Sequence, residues 1–427
     1  MIRERAVTIG IPFAMVVGLA LCGSDVHGGD WPQILGPNRT GIAVDEKIAD
    51  EWPDEGPAVL WRRDVGSGFS GIAVADGLAV LFHRVDGFER VEGMDAKTGE
   101  VRWKDDAKAT YVRSYNPDDG PRAVPLLHDG KAYVYGAHGV LRCLDVATGK
   151  PIWSRDAHGE YGETRPSRGE PPEGYFGIGT APIVEGDKLI LNVGGAQKQA
   201  GIVAFSLKTG DTLWKSTPER ASYSAPVAAT IDGRRHIMFI ARFNVVSVDP
   251  ENGNVRFRFP FGHPGPNVSA ASPVVLGEHL FVSASYGFGA IFAKAQENEA
   301  RILWESDEVM SSQYTTCVEH GGNLYGVHGR QDIGAASLRC FEPTSRKVHW
   351  TQPDFGYATL IKADGKLIIM KTDGELVLAR ATPTRYEELA RASLFGSTTR
   401  ALPALADGRL YVRDGNMLKC FNLQANN

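Results

Sequence analysis

One phrase recurs along this chain of 427 residues, and it limits what the chain can fold into. Met94 to Lys104 reads "MDAKTGEVRWK", Leu144 to Ser154 reads "LDVATGKPIWS", and Leu207 to Ser216 reads "LKTGDTLWKS". Each copy has a polar residue, a turn ending in glycine, and an aromatic residue four positions later. Gly99 leads to Trp103, Gly149 to Trp153, Gly210 to Trp214 and Gly253 to Phe257. Trp304 and Trp350 continue the series, with Ala300 and Arg346 in place of the glycine. The anchors are 50, 61, 43, 47 and 46 residues apart. Self-similarity at this period is the signature of stacked supersecondary units, and a repeat of about 40 to 50 residues suits a four-stranded propeller blade.

Each unit divides into four short apolar runs separated by turns. In "PLLHDGKAYVYGAHGVLRCLDVATGKPIW" the turns fall at Asp129-Gly130, His138-Gly139 and Thr148-Gly149. The apolar residues alternate, and no sustained helical period follows the N-terminal segment. Pro182, Pro226, Pro273 and Pro403 stand in the first run of their units, and proline belongs on a strand edge because it cannot donate to a ladder. In a propeller that edge lines the central channel. Trp61, Trp103, Trp153, Trp214, Phe257, Trp304 and Trp350 are the expected anchors between blades, and a degenerate copy ends near Leu389. The last copy, "LPALADGRLYVRDGNMLKCFNL", stops after three strands, so "AVLWRRD" around Trp61 is expected to supply the fourth. The sequence thus predicts an all-β, eight-bladed propeller over residues 58–427, closed by its N-terminal strand. Residues 30–57 are expected to wrap its outside.

Residues 1–29 read as a signal peptide. Arg3 and Arg5 precede the apolar run Ala6 to Leu21, which Gly10, Pro12 and Gly18 interrupt. Val26 and Gly28 suit cleavage. Leu21 before Cys22 disfavours lipidation. The reading is an exported protein of the periplasm or cell surface, monomeric, with no transmembrane segment in the mature chain. A formal net charge of -5 without a basic run argues against nucleic acid. Cys143, Cys340 and Cys420 occupy one repeat position on different units, which favours small buried thiols over disulfides.

The repeats resemble those of pyrroloquinoline-quinone (PQQ)-type eight-bladed propellers over nearly all of the mature chain. "DWPQ", "GPNRTG", "SYSAPVAATIDG" and "GELVLARATP" are similar to secreted members of that family. The resemblance has two branches. The quinoprotein dehydrogenases hold the quinone and calcium over the channel. The propeller lipoprotein of the outer-membrane barrel-assembly machinery has no cofactor and binds protein partners. The enzyme branch implies a pair of adjacent cysteines and a tryptophan floor. This chain has no such pair, and its 8 tryptophans are Trp31, Trp52 and the six tryptophan anchors.

The 11 histidines lack zinc spacing, "DPENGN" at Asp249 coincides with the repeat turn, and "NPDDG", Asn116 to Gly120, is the better oxygen-rich loop. No nucleophile elbow or phosphate loop occurs. No catalytic, cofactor or metal residue is therefore assigned. Two loop sets share one face of a propeller, those joining blades and those joining second to third strands. The first set includes the long loops Lys104 to Arg122 and Ser154 to Gly179, with Arg113, Tyr115, Arg165, Arg168 and Tyr175. The second adds His138, Arg242, Tyr286, His328, Lys371 and Arg413. These eleven residues are the candidate rim for an envelope protein or polar ligand at the channel mouth. The loop 154–179 is expected to fold over the mouth near Arg113, His138 and Arg242. The expected function is a non-catalytic binding or scaffold propeller. The alternatives are a PQQ-dependent alcohol or sugar oxidoreductase working through an Asp base, and a carbohydrate- or polymer-binding propeller.

Overall fold

The recurring phrase builds one hairpin per blade. In the first blade β2 (Ile72–Ala75), β3 (Leu78–Val85), β4 (Phe88–Asp95) and β5 (Val101–Lys108) pair in sequence order, all antiparallel. Asp95 Oδ1 accepts from the Lys97 and Thr98 N–H groups, both at 2.9 Å, and Gly99 turns the chain at φ +73°. Trp103 then lands across the strand from Gly93 and donates its indole N–H to Val146 O of the next blade at 2.8 Å. Its ring covers Gly149, where an added Cβ would meet Trp103 Cε3 at 2.4 Å. The glycine thus serves twice, for its positive φ and for the neighbour's tryptophan.

The same docking repeats around the ring. Trp61 donates to Ala96 O, Trp153 to Leu207 O, Trp214 to Pro250 O, Trp304 to Pro343 O and Trp350 to Thr382 O, at 2.7–3.1 Å. Cys143, Cys340 and Cys420 pair in register with Trp153, Trp350 and Trp61. They are small buried residues beneath the anchors, and with buried Cys317 they are free. Burial pushes the Cys143 thiol up to about 11 and the Cys317 thiol up to about 12.

The computed structural model describes residues 29–112, 118–162 and 174–424. Among them stand eight four-stranded sheets. The eighth joins β1 (Val59–Asp64) to the strand Met417–Asn422, with Trp61 opposite Cys420, so the two ends of the chain share a blade. The signal peptide expected over 1–29 lies outside the described residues, Gly29 excepted. No helix among the described residues is long and apolar enough to cross a membrane. Around the channel, hydroxyls stitch blades together. Thr180 donates to Ser224 O, Ser224 to Ala271 O, and Thr315 to Ala358 O, each linking like positions of adjacent blades.

The path of residues 30–57 corrects the expectation that they wrap the outside. Trp31, 1% exposed, bridges to Val74 of the first blade, and Leu127 N donates to Pro32 O of the second. Arg39 reaches Pro226 O at 2.9 Å and Pro182 O, and Lys362 N of the seventh blade donates to Gly41 O at 2.7 Å. The segment therefore crosses the channel. Beyond it, Ile48 O accepts from Lys366 and Ala49 N donates to Leu423 O, which leads the chain between the last two blades to β1. The physical reason lies in the inner strands, whose prolines leave unpaired edge carbonyls that a buried guanidinium satisfies. Burial lowers Arg39 to about 9.

Candidate functional site

Each inner strand is entered from one face through a short approach, and one register of that approach faces the axis. Counting three residues back from the inner proline, or its equivalent, gives Phe69, Arg122, Gly179, Tyr223, Ala270, Tyr314, Tyr357 and Arg400. All of these except Tyr357 line a cavity of about 360 Å³. Ile34 of the crossing segment also lines it and closes its inner end. The site is a blind funnel on the face that carries the blade-joining loops.

The wall combines aromatic faces with two guanidinium groups. Arg122 lies 5.7 Å and Arg400 5.1 Å from the Phe69 ring centroid. Arg122 is held by Asp118 O at 2.8 Å and Gly120 O, and by the Asp118 carboxylate at 3.6 Å. Arg400 Nε donates to Gln331 Oε1 at 2.8 Å, an oxygen that also accepts from the Tyr314 phenol at 3.0 Å. Gln313 ties the opposite wall by donating to Tyr286 Oη at 2.7 Å and accepting from Gln331 N at 2.8 Å. Burial raises the Tyr223, Tyr286 and Tyr314 phenols above their ordinary range, so all three are neutral donors. Burial lowers Arg122, which stays charged at neutral pH.

The candidate residues read from the sequence separate into three groups. Arg113, Tyr115, Arg165 and Arg168 lie outside the described residues, as does Asn116. Of the loop expected over the mouth, Phe176 and Gly179 line the funnel, and Phe176 packs 5.9 Å from Tyr223 and 6.5 Å from Tyr175. Tyr286 lines the funnel directly. The rest stand on the same face but away from the funnel wall. His138 packs 6.2 Å from His158. Arg242 is buried, bonds Asn267 and Gly265 O, and so fastens the loop into the fifth blade. Lys371 is clamped by Glu375 and by Asp373 at 3.0 Å. Arg413, 1% exposed, donates to Asp414 O and Gly66 O, and burial lowers it to about 10. His328 lines a separate cleft.

Sequence reasoning missed Phe69, Arg122, Tyr223, Tyr314, Arg400 and the Gln313–Gln331 pair. For five of these the signal was present in the spacing from the inner proline or its equivalent. The glutamines carry no such mark.

A calcium-bound quinone, implied by the enzyme branch of the resemblance, needs six to eight oxygen donors around the ion, drawn from carboxylates, carbonyls and water. Asp332 is the one carboxylate on the funnel wall among the described residues, and Arg330 and Gln313 both engage it. Among the described residues no three His, Cys, Asp or Glu side chains converge. The oxygen-rich loop is likewise consumed: Asp118 accepts from Gly68 N and Gly120 N, and Asp119 from Ser67. The described residues do not fit that group. The hydrogen bond from Arg330 also lowers Asp332, so it is a poor proton acceptor. Among the described residues the funnel presents aromatic faces, neutral donors and two fixed cations.

A family model described as outer membrane protein assembly factor BamB matches residues 89–352. Quinohemoprotein alcohol dehydrogenase ADH IIB of Pseudomonas putida is 30% identical over 131 residues, which is 30% of this chain and 17% of that protein. Quinohemoprotein alcohol dehydrogenase ADH-IIG of the same organism is 26% identical over 223 residues, 49% of this chain and 28% of that protein. The chain thus spans less than a third of the curated relatives it matches. Among solved structures, a europium-containing methanol dehydrogenase superposes with a TM-score of 0.69 at 13% identity, covering 91% of this chain and 89% of that one. BamB from Moraxella catarrhalis gives 0.60 at 14% identity, covering 86% and 100%. At these identities the structural likeness is one of fold.

Proposed function

This chain belongs to the family described as outer membrane protein assembly factor BamB, and we propose that it acts there as a non-catalytic binding propeller of the cell envelope. The partner is a protein held on the face where the funnel opens. The observation that carries this reading is the composition of the funnel wall. Seven blades contribute one register position each, five of these are aromatic or cationic, and the one carboxylate among the described lining residues is paired with Arg330. Such a wall offers stacking faces and charge-assisted hydrogen bonds to an incoming side chain, and among the described residues it offers no free base for proton removal. The crossing segment supports the same reading, because a channel stopped by Ile34 and Arg39 is a socket and not a conduit.

Photo-crosslinking in the native cell tests this directly. A photoreactive residue in place of Tyr223 or Gln331 should give one discrete protein adduct. The same residue at Lys97, in a turn on the opposite face, should give none. Equal labelling from both faces, or none from the funnel, would contradict the proposal.

The quinoprotein reading is favoured by similarity to the quinohemoprotein alcohol dehydrogenases. It would use Arg122 and Arg400 as anchors for an anionic ring. It leaves the calcium without a donor set.

A further inference from the structure

A concavity of about 900 Å³ lies beside the funnel, between the fifth and sixth blades. Its origin is local. The sixth blade's central hairpin, Asn323–Arg330 paired with Ala335–Glu342, keeps its ladder to the last pair, Arg330 with Ala335. It rises beside the fifth blade's shorter hairpin, whose strands are His279–Ala284 and Gly289–Ala295. The facing residues are small, among them Ser285, Gly287, Ser311, Gly329, Ala336 and Ser337. The two hairpins therefore stand apart instead of interdigitating.

The cleft floor carries polar groups without partners. Arg339 donates to Glu308 O and to Val309 O at 3.2 Å, while its Nε is buried with no hydrogen bond. No carboxylate among the described residues lies within ion-pairing distance of it. His328 Nδ1 is likewise buried without a hydrogen bond. Ser337 pairs in register with His328, and Thr351 with Arg339, so their hydroxyls share this floor. Asp307 and Asp354 stand at the cleft's margins, and Ile333 is 62% exposed at its lip. Tyr286 and Pro266 line both cleft and funnel.

We propose that this cleft is a second binding site, for an extended peptide segment that sets one acidic side chain on Arg339. A charge-assisted hydrogen bond to a guanidinium that no carboxylate among the described residues neutralises supplies the anchor. The marginal carboxylates Asp307 and Asp354 accept backbone N–H groups of the same segment and repel a dense polyanion. Apolar side chains on alternate positions meet Ile333 and the alanines. The inference rests on the binding-face reading above and adds the chemistry of what binds.

The test uses the full chain and a capped nonapeptide, Ser-Thr-Val-Thr-Glu-Thr-Val-Thr-Ser, with its Glu-to-Gln counterpart and nona-glutamate as comparisons. Calorimetric titration should show the Glu peptide binding at least about tenfold tighter than either comparison. Arg339→Gln should erase that preference. Ser337→Trp, which fills the cleft from an accessible position, should abolish binding with an unchanged melting temperature. Arg122→Gln, in the funnel, should leave peptide affinity as it was. Equal binding of Glu and Gln peptides, unchanged binding to Ser337→Trp, or no binding at millimolar peptide would overturn the proposal. Adducts retained at Tyr223 in that last case would leave the binding-face reading standing and remove only the cleft.

Discussion

Gly130 and Gly149 separate two demands that a turn glycine meets. Both have positive φ, +68° and +70°, but an added Cβ at Gly130 meets nothing within 4 Å, whereas at Gly149 it strikes the Trp103 ring. Gly130→Ala should cost about 1–2 kcal/mol from backbone strain alone. Gly149→Ala should cost at least about 2 kcal/mol more, because it also lifts Trp103 off its seat. Denaturant unfolding of the pair measures the difference, and equal costs would mean that the turn glycine has no role between blades. His83 gives a second check. It is 2% exposed, accepts from Gly66 N at Nδ1, and is pushed down to about 3 by burial and then by Arg413, Arg90 and Arg63. Between pH 6.5 and about 3 the unfolded chain holds a proton at this position that the folded chain does not. Stability should therefore fall as pH drops through that window, by up to about 1.4 kcal/mol per pH unit from this residue. His83→Gln should flatten the slope, and an unchanged profile would contradict the assignment.

At the scale of elements, the outer hairpin was legible and the leader was not. Asp145, Thr148 and Gly149 write their turn locally, and Trp153 follows at a fixed spacing, so the blade could be read without knowing its neighbours. Trp31 and Arg39 belong to no repeat, and their partners are carbonyls as far along the chain as Pro226. Of the rim residues chosen from the second turns, Tyr286 lines the funnel. The sequence could not say that Arg242, Lys371 and Arg413 spend their charge on nearby carbonyls and carboxylates. The funnel residues emerge only when the inner prolines are used as a ruler. Two outcomes follow at this scale. Arg39→Ala strips a buried donor from the Pro182 and Pro226 carbonyls and should cost about 2–3 kcal/mol in urea unfolding; a cost below about 0.5 kcal/mol would remove the crossing segment from the structural account. Deleting the chain through Asp64 removes β1 and bares the edge of Met417–Asn422, which should drive self-association in sedimentation. A monomer that melts like the parent would show that β1 does not close the ring.

As a whole molecule, this is a ring whose eight units are alike in their outer strand pairs and differ where they meet the axis. The tryptophan docking fixes the scaffold, and the approach to each inner strand is left to vary between Phe, Arg, Gly, Tyr and Ala. The same fold occurs in an assembly factor and in dehydrogenases, so function is argued from the site and not from the ring. The measurement that bears on the site most directly is equilibrium dialysis of the chain from residue 29 against pyrroloquinoline quinone, with and without calcium, followed by the quinone's visible absorbance. No calcium-dependent retention of quinone and no spectral change on adding an alcohol are expected. Retention of one quinone per chain that requires calcium, with reduction by an alcohol, would contradict the non-catalytic reading.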